Sequence, residues 1–242
     1  MPASMPETAP TPSSTPAPGK GMAVQQLFGA IARRYDIANH CLSGGLDFLW
    51  RRRAAAVVRR WEPRKVLDLA TGSGDLARVL ARTCPKATVM GADFCLPMLK
   101  VARRKKLPYL VQADALRLPF GSEAFDVVTI AFGLRNMESW GTALGEMARV
   151  LRPGGHLLIL DFSMPKGRLA GAYRFYLHRV LPRFASLLTG QKSAYQYLGD
   201  SIEAFPQGAA MTALLETTGF ADAKCRQLSG GIVSLYTASR TA

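Results

Sequence analysis

Short apolar segments of strand length alternate with amphipathic segments of helix length through most of this chain. The apolar segments cover residues 65–70, 88–93, 108–113, 125–132 and 156–161, and a further pair covers 220–225 and 231–237. Helical spacing of apolar residues occupies 75–83, 97–105, 140–151 and 209–218, and the motif at 153–155, Pro-Gly-Gly, predicts a turn before the fifth strand. Because such an alternation places helices on both faces of a parallel sheet, the pattern predicts a doubly wound α/β fold on seven strands.

The composition fits one folded domain preceded by a tail. The 242 residues, 48% of them hydrophobic, suffice for an α/β core. Residues 1–21 are rich in proline and small residues, which predicts a disordered tail. No apolar run reaches the roughly 18 residues that a membrane span needs, and no basic segment followed by an apolar one marks a signal peptide. We therefore expect a cytoplasmic protein that does not cross a bilayer.

The chain is strongly basic, with a net charge of +14. Arginines and lysines cluster at residues 51–53, 59–60 and 103–106. Three explanations fit such clusters: nucleic acid, an anionic membrane surface, and a solvated surface that keeps the protein soluble. Aromatic residues do not interleave with the basic ones. We therefore expect no nucleic-acid partner and retain a peripheral contact with an anionic membrane.

The residues that follow the first three strands indicate a bound ligand, because open α/β sheets bind ligands at the carboxyl ends of their strands. The candidate cofactor-binding residues are Gly72, Ser73, Gly74, Asp93, Asp114 and Ala115. Glycine lets the backbone turn sharply and approach a ligand closely. Asp93 is placed to accept hydrogen bonds from ribose hydroxyls, and Asp114 from an adenine amino group. These positions predict an adenosine-containing ligand.

The kind of adenosine ligand follows from what the glycine loop lacks. A dinucleotide site has G-x-G-x-x-G opening a helix toward a pyrophosphate. Here Gly74 is followed by Asp75 and the third glycine is absent, so Asp75 would repel a phosphate. S-adenosylmethionine has no phosphate and carries a sulfonium and an amino group, which suit acids at Asp68 and Asp75. The sequence thus predicts a methyltransferase rather than a dehydrogenase, and helix capping is a second role open to Asp75.

Four stretches of the chain resemble signatures of the ubiquinone/menaquinone biosynthesis C-methyltransferase family. They lie, in order, at residues 35–50, 132–136, 149–163 and 190–206, and the resemblance extends from about residue 24 to residue 237. The chain departs from the family at Ala38, Asp47, Ala131 and Asp161, where members usually carry Met, His, a polar residue and Glu. The change at Asp47 removes a histidine, so no catalytic role proposed for that histidine applies here.

The resemblance implies a fold, a reaction and a division of the chain. The fold would be the Rossmann-like class I methyltransferase fold, with a seven-stranded, mostly parallel sheet and helices on both faces. Residues 22–242 would form a single domain, with an N-terminal helical lid over 22–62 and a substrate cap insertion over 165–208. The reaction would transfer a methyl group from S-adenosylmethionine to a ring carbon of demethylmenaquinol, giving menaquinol. The alternatives are C-methylation of a ubiquinone precursor and methylation of another small molecule.

The resemblance also implies three catalytic residues: Arg135 and Asn136, just past the fourth strand, and Tyr35 in the lid. A ring carbon becomes nucleophilic when a neighbouring hydroxyl loses its proton, so the site has to stabilise a phenolate. Arg135 would do this directly or through an ordered water, Asn136 would orient the hydroxyl, and Tyr35 would close on the ring. The alternative for Arg135 is a structural ion pair with Asp126 or Glu138.

The expected partners follow from this reaction. We expect S-adenosylmethionine as co-substrate and no metal, because His40, His156 and His178 are not spaced as ligands. The substrate is a polyprenylated quinol whose tail lies in the bilayer, which favours a peripheral position at the inner face of the cytoplasmic membrane. The aromatic and basic segment 169–188 is a hydrophobic cap, a membrane-facing element or an ordinary packing helix. A homodimer is a further expected association.

Overall fold

Seven strands form one sheet in the part of the chain that the computed structural model describes, residues 43–181, 183 and 192–242. The strands are β1 Lys65–Leu69, β2 Thr88–Asp93, β3 Tyr109–Gln112, β4 Phe125–Ala131, β5 Leu151–Phe162, β6 Phe220–Leu228 and β7 Val233–Arg240. Their order across the sheet is β3-β2-β1-β4-β5-β7-β6. Neighbouring strands run parallel except at β7, which is antiparallel to β5 and β6. The prediction of a seven-stranded, mostly parallel sheet is confirmed.

Helices connect most of these strands. They are α1 Leu46–Arg59, α2 Asp75–Thr83, α3 Leu96–Arg104, α4 Trp140–Val150, α5 Arg168–Phe175, α6 Lys192–Ala204 and α7 Ala209–Thr217. A π-helical turn, Tyr176–Val180, continues α5, and the 3₁₀ turns Leu134–Asn136 and Ser229–Gly231 follow β4 and β6. Among the described residues, no helix is both long enough and apolar enough to cross a membrane.

The sheet buries an apolar core on each of its faces, because successive side chains of a strand point to opposite sides. Val66 of β1 belongs to a cluster with Trp50 of α1 and Leu80 of α2. Leu67, the next residue, belongs to a second cluster that includes Met147 of α4. The predicted placement of helices on both faces is therefore confirmed.

The order of the strands opens a crevice at the carboxyl end of β1. This strand lies between β2 and β4, so the chain departs to one side of β1 and later returns to the other, which is where open α/β sheets bind ligands. The register pairs Asp68 of β1 with Gly91 on one side and with Thr129 on the other. The residues just beyond these positions form the candidate site.

The prediction that residues 153–155 form a turn before the fifth strand was wrong. Leu151 already pairs with Phe125 and His156 pairs with Val127, so residues 152–155 form an irregularity inside β5 rather than a turn before it. Gly154 has a φ of 69°, and a Cβ on Gly155 would lie 3.0 Å from the carbonyl oxygen of Asp126. The bulge therefore requires glycine, which is why the sequence reads as a turn.

Several predictions about the ends of the domain fall partly or wholly beyond what is described. The predicted tail over 1–21, the helix that begins the lid and the end of the 169–188 segment lie outside the described residues. The remainder of that segment is α5 with its π-helical turn. The helix α6 was not predicted from the sequence. The division into lid, domain and cap stays a prediction.

Candidate active site

The loop after β1 is tightly packed and depends on glycine. Gly72 has a φ of 56° and Gly74 a φ of 82°, values that side chains other than glycine rarely tolerate. A Cβ on Gly74 would lie 2.2 Å from Cδ1 of Leu107. The N–H of Thr71 donates to the carbonyl of Ala92 at 3.1 Å, which ties the loop to β2. Ser73 is buried within it. The sharp turn predicted from the glycines is therefore present.

Asp93 at the end of β2 joins this loop to the start of α3. One carboxylate oxygen accepts the N–H of Gly72 at 2.7 Å, and the other accepts the N–H of Cys95 at 2.8 Å. Burial raises the pKa of Asp93, while these two hydrogen bonds oppose the rise. Each oxygen keeps a lone pair for a further donor. The side chain is thus fixed in place while still able to bind hydroxyl groups.

Asp68 is a buried carboxylate beneath the glycine loop. It accepts hydrogen bonds from the hydroxyls of Thr71 at 2.6 Å and Thr129 at 2.7 Å. Burial raises its pKa to about 6, and the two hydroxyls and the charge of Arg51 oppose the rise. A buried carboxylate with this pKa gains most from a nearby cation, because the cation stabilises its charged form. Asp68 is the strongest candidate for contact with a positively charged ligand group.

Asp114 and Ala115 follow β3 at the same edge of the sheet. Asp114 is exposed, and one of its carboxylate oxygens accepts the N–H of Leu116 at 2.9 Å. The side-chain amide of Gln112 donates to the carbonyl oxygen of Phe94 at 3.1 Å, which links the end of β3 to the segment after β2. The structure therefore brings the predicted glycine loop, Asp93 and Asp114 to neighbouring strand ends.

Two exposed apolar side chains near Asp93 were not predicted from the sequence. Phe94 is 40% exposed and Leu96 is 42% exposed, and both lie within three residues of the acid that ends β2. Apolar groups in such a position can cover the face of a planar ring. The available signal was their place in the chain, because residues just after a strand's carboxyl end face the crevice.

Asp75 forms an ion pair that the sequence did not predict. Its carboxylate pairs with the ammonium group of Lys105 at 2.7 Å, so its charge is balanced within the protein. The N-cap position of α2 is Gly74, so Asp75 is the first residue of the helix. Asp75 would therefore repel a phosphate less strongly than the sequence suggested, because Lys105, 30 positions away in sequence, balances its charge.

Arg135 forms a buried ion pair with Asp161, the second-last residue of β5. Its guanidinium donates to Asp161 at 2.6 Å and to the carbonyl oxygen of Phe132 at 2.6 Å, and the side chains of Arg135 and Asp161 are 4% and 1% exposed. The expected partners were wrong: Asp126 instead accepts the N–H groups of Arg64 and Lys65 at the other end of the sheet. The ion pair fixes the direction of the guanidinium.

Three buried polar atoms near this ion pair have no hydrogen-bond partner among the described residues. They are Nε of Arg135, Oδ1 of Asn136 and the hydroxyl of Tyr197. Buried polar groups are nearly always hydrogen-bonded, so unpaired ones at one place indicate a ligand position. Tyr35, the third predicted catalytic residue, lies outside the described residues.

Aromatic side chains border the same place. The rings of Phe132 and Phe162 lie 4.7 Å apart, and Trp50 of α1 lies 6.1 Å from each. The guanidinium carbon of Arg135 lies 5.3 Å from the centre of the Phe162 ring. Asp47, where a histidine was expected from the family, is buried and pairs with the guanidinium of Arg51. Its carboxylate thus forms an ion pair within α1.

Comparison with known proteins assigns a family to this geometry. The model of the ubiE/COQ5 methyltransferase family matches residues 18–240. The chain belongs to this family. The demethylmenaquinone methyltransferase of Thermus thermophilus is 46% identical over 221 residues, which cover 88% of this chain and all of that protein. The ubiquinone/menaquinone biosynthesis C-methyltransferase UbiE of Syntrophotalea carbinolica is 43% identical, covering 91% of this chain and 95% of its own.

Solved structures share the fold of this family member at low sequence identity. A SAM-dependent methyltransferase of Thermotoga maritima superposes with a TM-score of 0.64 at 19% identity, covering 89% of this chain and 99% of that one. Human N-acetylserotonin methyltransferase, solved in complex with SAM, gives a TM-score of 0.61 at 17% identity, covering 90% of this chain and 59% of that one. The fold is that of the class I methyltransferases, and this chain is a SAM-dependent methyltransferase.

The residues at the crevice suit S-adenosylmethionine. Asp68 offers a buried carboxylate to a cation, Asp93 offers lone pairs to hydroxyls, and Phe94 and Leu96 offer apolar surface to a planar base. Among the residues that the structure describes, no three potential metal ligands lie together.

Proposed function

We propose that this enzyme transfers a methyl group from S-adenosylmethionine to a ring carbon of demethylmenaquinol, giving menaquinol. The observation that carries the proposal is the 46% identity to the demethylmenaquinone methyltransferase of Thermus thermophilus over that protein's full length. Three buried polar atoms, in Arg135, Asn136 and Tyr197, have no hydrogen-bond partner among the described residues. They support the proposal because they suit a planar ring that carries oxygen substituents.

The cofactor would be held by four acidic and apolar groups of the crevice. Asp93 would accept from the ribose hydroxyls, Asp114 from the adenine amino group, and Phe94 would cover the adenine ring. Asp68 would stabilise the positively charged end, with the glycine loop allowing close approach of the backbone. When bound, S-adenosylmethionine supplies an electrophilic methyl group on a sulfonium.

The quinol ring would lie against Arg135 and Asn136. Because Asp161 balances the charge of Arg135, the guanidinium would act on a ring oxygen as a fixed hydrogen-bond donor rather than as a free charge. Asn136 Oδ1 can accept from a ring hydroxyl and so orient it. Fixed donors of this kind stabilise the phenolate that makes the neighbouring ring carbon nucleophilic. Tyr35 is proposed as a further contact to the ring.

The aromatic side chains would keep water out of this place. Trp50, Phe132 and Phe162 present apolar surface beside the guanidinium of Arg135. An apolar border lowers the local dielectric and strengthens the hydrogen bonds to a developing phenolate. It also favours reaction of the methyl donor with a carbon nucleophile over reaction with water.

We also propose that the protein contacts an anionic membrane surface, where the polyprenyl tail of such a substrate resides. An apolar patch, formed by Leu46, Phe48 and Leu49 of α1 with Leu169 and Phe175 of α5, is 41–62% exposed. Both helices approach the turn Ser229–Gly231: Trp50 of α1 donates to the hydroxyl of Ser229, and a Cβ on Gly230 would lie 3.8 Å from Leu169 of α5. Exposed basic residues accompany the patch at positions 52, 53, 174 and 179. Apolar groups beside cations suit an anionic lipid surface.

C-methylation of a ubiquinone precursor is the second candidate, because the name of the Syntrophotalea carbinolica relative covers both quinone pathways. Homodimerisation stays a prediction, which light scattering of the purified protein measures.

The proposal is tested by quinone profiling of cells that lack this protein. We expect demethylmenaquinone to accumulate and menaquinone to disappear, and we expect the wild-type gene, but not one encoding Asp93→Ala, to restore menaquinone. Accumulation of a demethylated ubiquinone precursor with normal menaquinone would support the second candidate. An unchanged quinone profile would contradict both.

A further inference from the structure

We infer that the hydroxyl of Tyr197 binds a ring oxygen of the quinol, as a third polar contact beside Arg135 and Asn136. The inference rests on the proposed quinol substrate and adds a residue to its site. Tyr197 was not among the predicted catalytic or binding residues.

The position of Tyr197 follows from the packing of α6. This helix contacts the 3₁₀ turn Leu134–Asn136 directly after β4, and Tyr197 lies close enough to Arg135 for the charge of the guanidinium to influence its pKa. The Tyr197 hydroxyl is buried and has no hydrogen-bond partner among the described residues. The hydroxyl of Tyr236, by contrast, accepts the N–H of Gly208 at 2.9 Å. A buried hydroxyl without a partner loses its hydrogen bonds to water and gains none, so it destabilises the protein unless a ligand restores them.

The three unpaired atoms complement the oxygens of a quinol. Arg135 Nε is a donor, Asn136 Oδ1 is an acceptor, and the Tyr197 hydroxyl can do either. A quinol with one hydroxyl and one phenolate oxygen needs an acceptor for the hydroxyl and donors for the phenolate. Burial raises the pKa of Tyr197, and the charge of Arg135 opposes the rise without cancelling it. The phenol therefore keeps its proton and acts as a donor to the phenolate, with no proton transfer of its own.

A second tyrosine near Arg135 lacks this feature. Tyr173 also experiences the charge of Arg135, but its ring stacks on that of Tyr176 with centres 6.2 Å apart. It packs against the small apolar cluster of Leu177, Leu181 and Ile202. Its surroundings are those of a packing residue, so the inference applies to Tyr197 alone.

The test replaces Tyr197 by phenylalanine in the full-length protein, with Tyr109→Phe as the matched control. Tyr109 is 51% exposed and lies at the amino end of β3, away from the crevice. We expect Tyr197→Phe to lower kcat/KM for demethylmenaquinol about tenfold or more, which is about 1.4 kcal/mol of transition-state stabilisation per tenfold. The affinity for S-adenosylmethionine should not change. The melting temperature of the free protein should stay the same or rise, because the change removes an unpaired buried hydroxyl.

The outcomes separate this inference from the proposed function. If the wild type methylates demethylmenaquinol and Tyr197→Phe matches its kcat/KM, the inference is wrong and the proposed function stands. If Tyr197→Phe lowers the affinity for S-adenosylmethionine and the melting temperature together with the activity, the role of Tyr197 is structural. That result also overturns the inference. If the wild type leaves the quinol unmethylated, the proposed function fails and the inference fails with it.

Discussion

Among single residues, Asp68 has the most informative electrostatics. Burial raises its pKa from 3.8 to about 6, although two threonine hydroxyls donate to it. At about 1.4 kcal/mol per pKa unit, the charged form is disfavoured by about 3 kcal/mol. A raised carboxyl pKa means that the stability contributed by this group is complete below pH 4, where both states are protonated, and is lost as the pH rises through 6. The free protein thus holds an acid that a bound cation would stabilise.

The affinity for S-adenosylmethionine should therefore depend on pH around 6. Binding of a cation near Asp68 favours its ionised form, so we expect the affinity to fall by up to about tenfold per pH unit below 6 and to level off above 7. Titration calorimetry between pH 5 and pH 8 measures this. Asp68→Asn should bind more weakly and lose the pH dependence. The exposed Asp222→Asn is the control and should keep the wild-type profile.

A flat pH profile in the wild type, or an Asp68→Asn variant that keeps the profile, would show that Asp68 does not contact the cationic end of the ligand.

The ion pair between Arg135 and Asp161 should be essential for stability. Replacing Asp161 by asparagine leaves a buried guanidinium without its counter-charge, which typically costs about 3–5 kcal/mol. The matched change Glu123→Gln removes the partner of Arg240 at a 53% exposed side chain, and should cost less than about 1 kcal/mol. Urea unfolding at pH 7.5 measures both. Equal losses of stability in the two variants would contradict the buried ion pair.

At this scale the sequence predicted the candidate residues better than their contacts. The glycine loop, Asp93 and Asp114 could be found because each follows a strand that the pattern of apolar residues defines. The partner of Arg135 was sought among acids close in sequence, at 126 and 138, and found 26 positions away. Asp161 could have been predicted as the partner, because β5 lies beside β4 and the carboxyl ends of these two parallel strands lie at the same edge of the sheet. The Lys105 partner of Asp75 and the position of Tyr197 depend on helix packing, which no local pattern specifies.

Among the structural elements, the loop between β1 and α2 is the most constrained. Gly74→Ala would place a Cβ 2.2 Å from Leu107 and 3.2 Å from the Cβ of Ala102, at a φ of 82°. We expect a loss of stability of about 1–3 kcal/mol from the strained backbone and at least tenfold weaker binding of S-adenosylmethionine. The control is Gly145→Ala in α4, where nothing lies within 4 Å.

Alanine at position 145 should leave binding unchanged and stabilise the helix by up to about 1 kcal/mol. Thermal unfolding and calorimetry measure both variants, and a Gly74→Ala variant that binds like the wild type would refute the account of the loop.

The elements themselves were largely predictable, because the period of the apolar residues separates strands from helices. β2 and α2 were predicted to the residue, and the other strands of the sheet up to β4 within two residues. The errors have physical causes. Residues 152–155 read as a turn, but pairing of Leu151 with Phe125 extends β5 past the glycines. The polar and aromatic mixture of α6 gave no clear period, and packing against the turn after β4 determines its place.

For the whole molecule, the net charge of +14 and the apolar patch predict binding to anionic vesicles. The protein should sediment with vesicles of anionic phospholipid at low salt, less at 0.5 M salt, and hardly with neutral vesicles, because salt screens surface charge. Replacing both Phe48 and Leu49 by glutamine should weaken binding at least tenfold, since even partial burial of each side chain contributes about 1 kcal/mol or more. The control is Tyr109→Gln. Equal binding to neutral and anionic vesicles, or no effect of the double change, would exclude this surface.

The central claim is that the crevice at the ends of β1 and β4 methylates a quinol ring carbon. The most direct measurement incubates the purified protein with demethylmenaquinol and S-adenosylmethionine labelled in its methyl group, and locates the label by mass spectrometry and NMR. We predict a labelled methyl group on the ring carbon, with turnover lost in Asp93→Ala and strongly reduced in Arg135→Ala. Label on a ring oxygen, or no transfer to the quinol by a protein that binds S-adenosylmethionine, would contradict the claim.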